Sequence, residues 1–201
     1  MNAITLRRGV TVHDPLHLAL DFLHAYSSYD APGSPDTASF DEPDLRLANR
    51  GGARIAAAEI EAILRRRGEI EGALRAIQPD ASLTATTSAI PWTPLTRLFD
   101  AFADIRGVGF SKMTKALHVK RPALIPILDS VVQAYLVTGD SALRSMSFGE
   151  RGVSLVRSYK QDLDRNRRSL RGIRQELELR GYLLTEVRIL DIVIWSVSAG
   201  G

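Results

Sequence analysis

The 201-residue chain contains no cysteine. That excludes disulfides, thiolate zinc sites, cysteine-ligated iron–sulfur clusters and a catalytic thiol, and a cytoplasmic location is expected from it. No stretch reaches the roughly 18 uncharged apolar residues that a membrane span requires. The opening Met1-Asn2-Ala3-Ile4-Thr5 lacks a basic region followed by an apolar run, so neither secretion nor membrane insertion is expected. Lysine is scarce, with four residues against 22 arginines, and aromatics make up 6%. There is no internal repeat and no low-complexity tract.

What is present is globular in composition, 45% hydrophobic and 24% charged. A chain of this length can bury about 70% of its unfolded surface without covalent staples, so one helical domain over residues 1–201 is expected. The net charge of +3 divides unevenly. Residues 1–104 carry 10 basic and 14 acidic groups, and residues 105–201 carry 16 and nine. A basic C-terminal half suits an anionic partner, most often nucleic acid, although arginines also simply solvate helices.

Helical signals dominate and predict an all-α fold, a compact helical bundle. Residues 4–12 read as a short extended segment. Asp14-Pro15 is an N-cap followed by proline at the first helical position, opening a helix over 13–26. The Ser-, Gly-, Pro- and Asp-rich stretch 27–43 predicts a long loop. Short helices are expected over 44–50, from 53 to 67 and over 69–77, with a further one from Thr93-Pro94. Downstream come a turn at 105–109, helices near Ser130 and over 141–146, an arginine-rich helix over 151–180 broken at Gly152 or Gly172, and a final apolar helix over 185–197.

The most informative block is Ile105-Arg106-Gly107-Val108-Gly109-Phe110-Ser111-Lys112-Met113-Thr114-Lys115. Two glycines around one small apolar residue let the chain reverse tightly and aim amides outward at the start of the next helix, where a phosphate can sit. Val108 is expected to pack inward. Between Ile105 and Leu128 there are five basic residues (Arg106, Lys112, Lys115, Lys120, Arg121) and no acid. This is the electrostatic footprint of an element that grips a nucleic-acid backbone.

This hairpin, followed twenty residues after Gly109 by Asp129 within Pro126-Ile127-Leu128-Asp129-Ser130-Val131-Val132, resembles the signature of the helix-hairpin-helix DNA glycosylase superfamily. The likeness covers roughly residues 95–136. It implies a DNA-repair hydrolase in which Gly107, Val108, Gly109, Ser111, Lys112, Lys115, Lys120 and Arg121 contact DNA and Asp129 is the essential carboxylate. The string Lys-Arg-Pro-Ala-Leu-Ile-Pro-Ile-x-Asp-Ser-Val-Val is also similar to one in an uncharacterised bacterial family. Bifunctional glycosylases carry their Schiff-base lysine where this chain has Ser111, and Lys112 lies about 100° further around the helix. Monofunctional N-glycosidic bond hydrolysis is therefore the expectation. Read from the residues alone, Asp129 either stabilises positive charge developing on a sugar or caps the helix from Ser130, and the two roles are compatible. A non-catalytic DNA-binding module and a helical protein-interaction domain remain the alternatives.

Trp92, between two turns, and Tyr29, in the long loop, are the expected base-pocket aromatics, while Trp195 in its apolar run reads as core. His13, His17 and His24 share a helical face with Asp21 but lack the glutamate of a zinc-protease motif, so neither a metal nor a cofactor is expected. Arg165, Arg167, Arg168, Arg171 and Arg174 form an acid-free run that reads as a solvated helix face.

Overall fold

The computed structural model describes residues 3–26, 29–30, 37–137 and 145–199. It is mainly helical. A two-stranded antiparallel ribbon, β1 (Ile4–Thr5) and β2 (Thr11–Val12), precedes ten helices among the described residues: α1 (Pro15–Tyr26), α2 (Glu42–Arg50), α3 (Ala57–Arg65), α4 (Arg67–Arg75), α5 (Trp92–Asp100), α6 (Phe110–His118), α7 (Ser130–Leu136), α8 (Phe148–Arg165), α9 (Arg167–Glu178) and α10 (Glu186–Ala199). None is long and apolar enough to cross a membrane.

Local chemistry explains most helix starts. The Asp14 carboxylate accepts the His17 N–H at 3.1 Å to open α1. At α8, Ser147 and Glu150 satisfy each other's backbone amides in a capping box. The predicted segment 141–146 falls, except for its last two residues, outside the described residues, as does much of the loop over 27–43.

Two packing arrangements build the core. In the first, α5 lies along α8, and this close approach explains two glycines. A Cβ on Gly152 would come within 2.6 Å of the Phe99 ring, and one on Gly149 would overlap the Thr96 carbonyl. Gly152 is thus a packing residue inside α8 rather than the predicted break. The arginine-rich helix divides at Asn166 instead, because this buried side chain bonds out of the helix. Its amide accepts from the Thr5 N–H at 2.8 Å and donates to the Thr5 carbonyl at 2.9 Å, locking the junction of α8 and α9 to β1.

In the second arrangement α10 is enclosed by α1, α7, α8 and α9. Residues 187–194 are all buried, as expected for a helix apolar on every side. Two charges interrupt it, Arg188 and Asp191.

The connection from α6 to α7 takes no regular secondary structure over residues 125–129, so side chains satisfy its backbone. His118 Nδ1 donates to the Ile125 carbonyl at 2.6 Å, the Asp191 carboxylate accepts the Ile127 N–H at 3.0 Å, and Thr114 Oγ1 accepts the Leu128 N–H at 2.9 Å. Three side chains from α6 and α10 therefore hold the stretch that delivers Asp129.

Candidate functional site

A cleft of about 980 Å³ opens between the α2–α3 turn, the first turns of α6, the start of α7 and one side of α1 and α10. Its polar lining includes Arg50, Arg54, Ser111, Lys112, Lys115, Asp129, Arg188 and Asp191, and Phe22, Tyr26 and Trp195 form an aromatic wall.

The turn that joins α5 to α6 is the expected tight reversal. Gly107 has φ +83°, a conformation that favours glycine, whereas Gly109, the N-cap of α6, is extended at φ −99°. Val108 is buried, as its small apolar character predicts. The flank of the turn is already occupied. Glu59 of α3 packs against Gly107, where any Cβ would overlap its carboxylate, and its two oxygens accept hydrogen bonds from Lys112 Nζ at 2.7 and 2.6 Å. Burial would raise the Glu59 carboxyl, but the bonds from Lys112 and from the Ala56 N–H carry it below its usual range. Lys112 thus lines the cleft with its charge met from within the chain.

Lys115, one helical turn beyond Ser111, differs. No anion within ion-pair distance faces it among the described residues, and Nζ lies 3.8 Å from where a Cβ on Gly52 would project. Burial pulls its amine below the ordinary lysine range, Asp129 opposes that, and the charges of Arg188 and Arg54 add to it.

Asp129 is the N-cap of α7, Oδ1 accepting the Val132 N–H at 3.0 Å, and it also lines the cleft. Capping and a place at the site coexist.

The expectations for Lys120 and Arg121 are corrected. Both are about 1% exposed and cannot reach a phosphate. Lys120 pairs with buried Asp44 at 2.7 Å, and the Arg121 guanidinium donates to the carbonyls of Thr37, Lys120, Leu74 and Ile77 at 2.7 to 2.8 Å. The two cations that looked like a basic surface are interior braces. Trp92 is corrected as well: it lies outside the cleft, its indole N–H bonded to the Thr87 carbonyl and its ring covered by Arg157 at 4.1 Å. Trp195, read as core, is the tryptophan that faces the cleft, packed edge-on against Phe22 and Tyr26 at 5.5 and 5.8 Å. Tyr29 does line the cleft, but as a buried support: its hydroxyl donates to the Lys115 carbonyl at 2.7 Å, and its ring fills the space that a Cβ on Gly51 would need. His17 sits 3.4 Å from Asp21 at an exposed position, and no cluster of three or more metal-ligating side chains occurs among the described residues.

Several cleft residues carry no motif. The turn Arg50-Gly51-Gly52-Ala53-Arg54 reads only as a helix stop. In space Gly52 and Arg54 both adopt left-handed φ, +74° and +54°, which at a non-glycine residue costs on the order of 1 kcal/mol. Asn49 compensates by clamping Ile55, its amide accepting the Ile55 N–H at 2.6 Å and donating to the Ile55 carbonyl at 3.0 Å. Arg188 is a buried cation paired with Asp30 at 2.6 and 3.0 Å and stacked between the rings of Phe22 and Tyr29, 5.3 Å from each. The signal that would have found Arg188 and Asp191 is their presence in an otherwise apolar helix, where unpaired charge is rare.

Asp191 Oδ1 has no hydrogen-bond partner among the described residues. Burial pushes this carboxyl up to about 8, Arg188 pulling the other way. Burial likewise lowers His118 to about 4. Between about pH 4 and 8 the folded chain therefore holds a proton on Asp191 that the unfolded chain has released, so stability falls as pH rises through that window. His118 acts in the opposite sense between about 4 and its unfolded value near 6.5. The two offset each other up to about pH 6.5, and above it Asp191 alone lowers stability, by on the order of 1 kcal/mol per pH unit. Urea unfolding at pH 6.5 and 8 is expected to show this decline in the native chain and to lose most of it in Asp191→Asn; an equal decline in both would place the proton elsewhere.

A model of a protein family described as "Family of unknown function (DUF6308)" matches residues 21–198, a span that contains every residue lining the cleft. No curated protein and no solved structure matches the chain.

Proposed function

The chain belongs to the DUF6308 family, and we propose that its cleft binds DNA and acts on it as a monofunctional, helix-hairpin-helix glycosylase-like enzyme, with Asp129 as the reacting carboxylate. One observation carries this: Asp129 and the first turns of α6, which follow the glycine hairpin, line the same open cleft. The α6 N-terminus has no side-chain cap among the described residues and offers its first-turn amides and the positive end of a helix dipole, and Ser111 and Lys115 stand on that side. An interaction module whose hairpin merely packs would have no use for a polar cavity beside the aspartate.

In this scheme phosphate contacts hold the strand while a base leaves the stack against Tyr26 and Trp195. Asp129 keeps Oδ1 on the Val132 amide and turns its other oxygen to the sugar. As the bond from C1′ to the base nitrogen breaks, the electron pair leaves with the base, the sugar gains oxocarbenium character, and the carboxylate stabilises that charge until water adds at C1′ and gives up a proton, the departing base taking up one in its turn. Ser111 offers no amine, so the strand is left intact at an abasic site.

Binding is the part to test first. Affinity for duplex DNA is expected to fall with salt at a log–log slope of about −0.9 per phosphate neutralised, and Lys115→Gln is expected to flatten that slope by about one contact. Fluorescence anisotropy from 50 to 300 mM salt measures both. No retention of DNA at the lowest salt removes the proposal.

A further inference from the structure

We infer that Arg50, Arg54 and Lys115 form a seat for a phosphate monoester, the terminal phosphate of a nucleotide or of a nucleic-acid strand, at the α2–α3 end of the cleft. The inference does not need the glycosylase reading, since two of its three cations, Arg50 and Arg54, stand on a turn outside the hairpin, and only Lys115 is shared with the proposed DNA contacts.

Charge balance is the first ground. Two of the five cations lining the cleft are met from within the chain, Lys112 by Glu59 and Arg188 by Asp30. Among the described residues Arg50 and Arg54 make no ion pair or side-chain hydrogen bond, and Lys115 Nζ makes none either. Asp191 is the remaining acid of the lining, and burial keeps it protonated below about pH 8. Three cations thus face a single carboxylate, Asp129, and leave the cleft two positive charges in excess. A phosphodiester brings one negative charge. A phosphate monoester brings about −1.5 to −2 at neutral pH, which matches the excess.

Shape is the second ground. The turn that carries both arginines is held in an uncommon backbone course. Gly51 is pressed against the Tyr29 ring, Gly52 and Arg54 are left-handed, and Asn49 clamps Ile55 from both sides. The Lys115 amine lies behind Gly52. A loop that only linked two helices would require neither the left-handed arginine nor a partly buried amine with no counter-ion among the described residues, whereas an arriving phosphate supplies an acceptor that the described residues do not offer these three cations.

The third ground is the opposite wall. Tyr26 is about half exposed, and it and Trp195 present aromatic surface to the same cavity, the arrangement that lets a base stack while its phosphate is held by arginine. Of the two tryptophans only Trp195 lines the cleft, so the chain carries its own optical reporter.

The test titrates the full chain with deoxyadenosine 5′-monophosphate, deoxyadenosine and inorganic phosphate, following tryptophan fluorescence and calorimetry, and then with single-stranded oligonucleotides carrying a 5′-phosphate or a 5′-hydroxyl. The monophosphate is expected to bind and quench Trp195, and deoxyadenosine to bind at least tenfold more weakly. Arg54→Asn, which tolerates left-handed backbone, and Arg50→Gln are each expected to weaken the monophosphate roughly tenfold or more, with circular dichroism unchanged. Arg171→Ala, on the exposed side of α9, is expected to leave it alone. Preference for the 5′-phosphorylated strand over its 5′-hydroxyl twin assigns the seat to strand ends, and equal weakness of both strands beside a bound mononucleotide assigns it to free nucleotides. Failure of the monophosphate to bind at millimolar concentration, or affinity unmoved by both arginine variants, overturns the seat. If duplex DNA still binds in that case, the DNA proposal survives alone; if the monophosphate binds and duplex does not, the seat survives alone.

Discussion

Asp129→Asn is expected to lower base release from damaged duplex DNA by a factor on the order of 10² or more while leaving the fold and DNA affinity intact. Asparagine is as good an N-cap as aspartate, so the bond to the Val132 amide and the start of α7 are retained. Only the negative charge beside the sugar is removed. The measurement is single-turnover release of the base, with the melting temperature and the DNA Kd recorded on the same preparations. A variant as active as the native chain would confine Asp129 to capping and place the chemistry on another group. On the proposed reading Ser111 stands where a bifunctional glycosylase would carry its amine, so borohydride is expected to trap no covalent complex with the native chain. Trapping would show that an amine of the cleft attacks the sugar and that the hydrolytic scheme is wrong.

Lys120→Met is expected to destabilise the chain by about 3 to 5 kcal/mol, because it strands the Asp44 carboxylate in the interior. Asp44 already feels that interior: burial raises its carboxyl, and the bond from Lys120 acts against the rise. Replacing the pair together, Asp44→Leu with Lys120→Met, is expected to recover most of the loss, since buried ion pairs are often exchangeable for apolar pairs of similar volume. Urea unfolding reports both values. A phosphate-binding Lys120 would behave in reverse, with weaker DNA binding and unchanged stability.

Those two lysine outcomes mark where the sequence is readable and where it is not. Cap chemistry acts within three or four residues, so α1 could be placed from Asp14-Pro15 and the helices around the hairpin from Gly107-Val108-Gly109. The break between α8 and α9 could not, because it is made by Asn166 reaching Thr5, 161 positions away in the chain, while the glycine that looked like a breaker fits α8 against Phe99. Lys120 and Arg121 belong to an acid-free window, and only tertiary structure brings Asp44 and the carbonyls of Leu74 and Ile77 to them. Of the cleft, the sequence exposed the α6 side and Asp129 through the spacing of a motif. The Arg50–Arg54 turn carries no motif, and Trp195 was hidden by the apolar run around it.

The hydrogen bond from the Ile127 amide to Asp191 also sets the order in which the site can come into being. As the chain is synthesised, the segment that carries Asp129 emerges more than fifty residues ahead of the helix that anchors it. Until α10 has left the ribosome and docked, the amide of Ile127 has no acceptor, the Arg188–Asp30 pair is missing, and the cleft lacks Trp195. A nascent chain paused before Glu186 already carries Arg50, Arg54 and Lys115, yet it has no finished pocket in which to gather them. The cleft is therefore completed late, and a ribosome-bound or prematurely terminated chain carries the charges of the site without its finished walls.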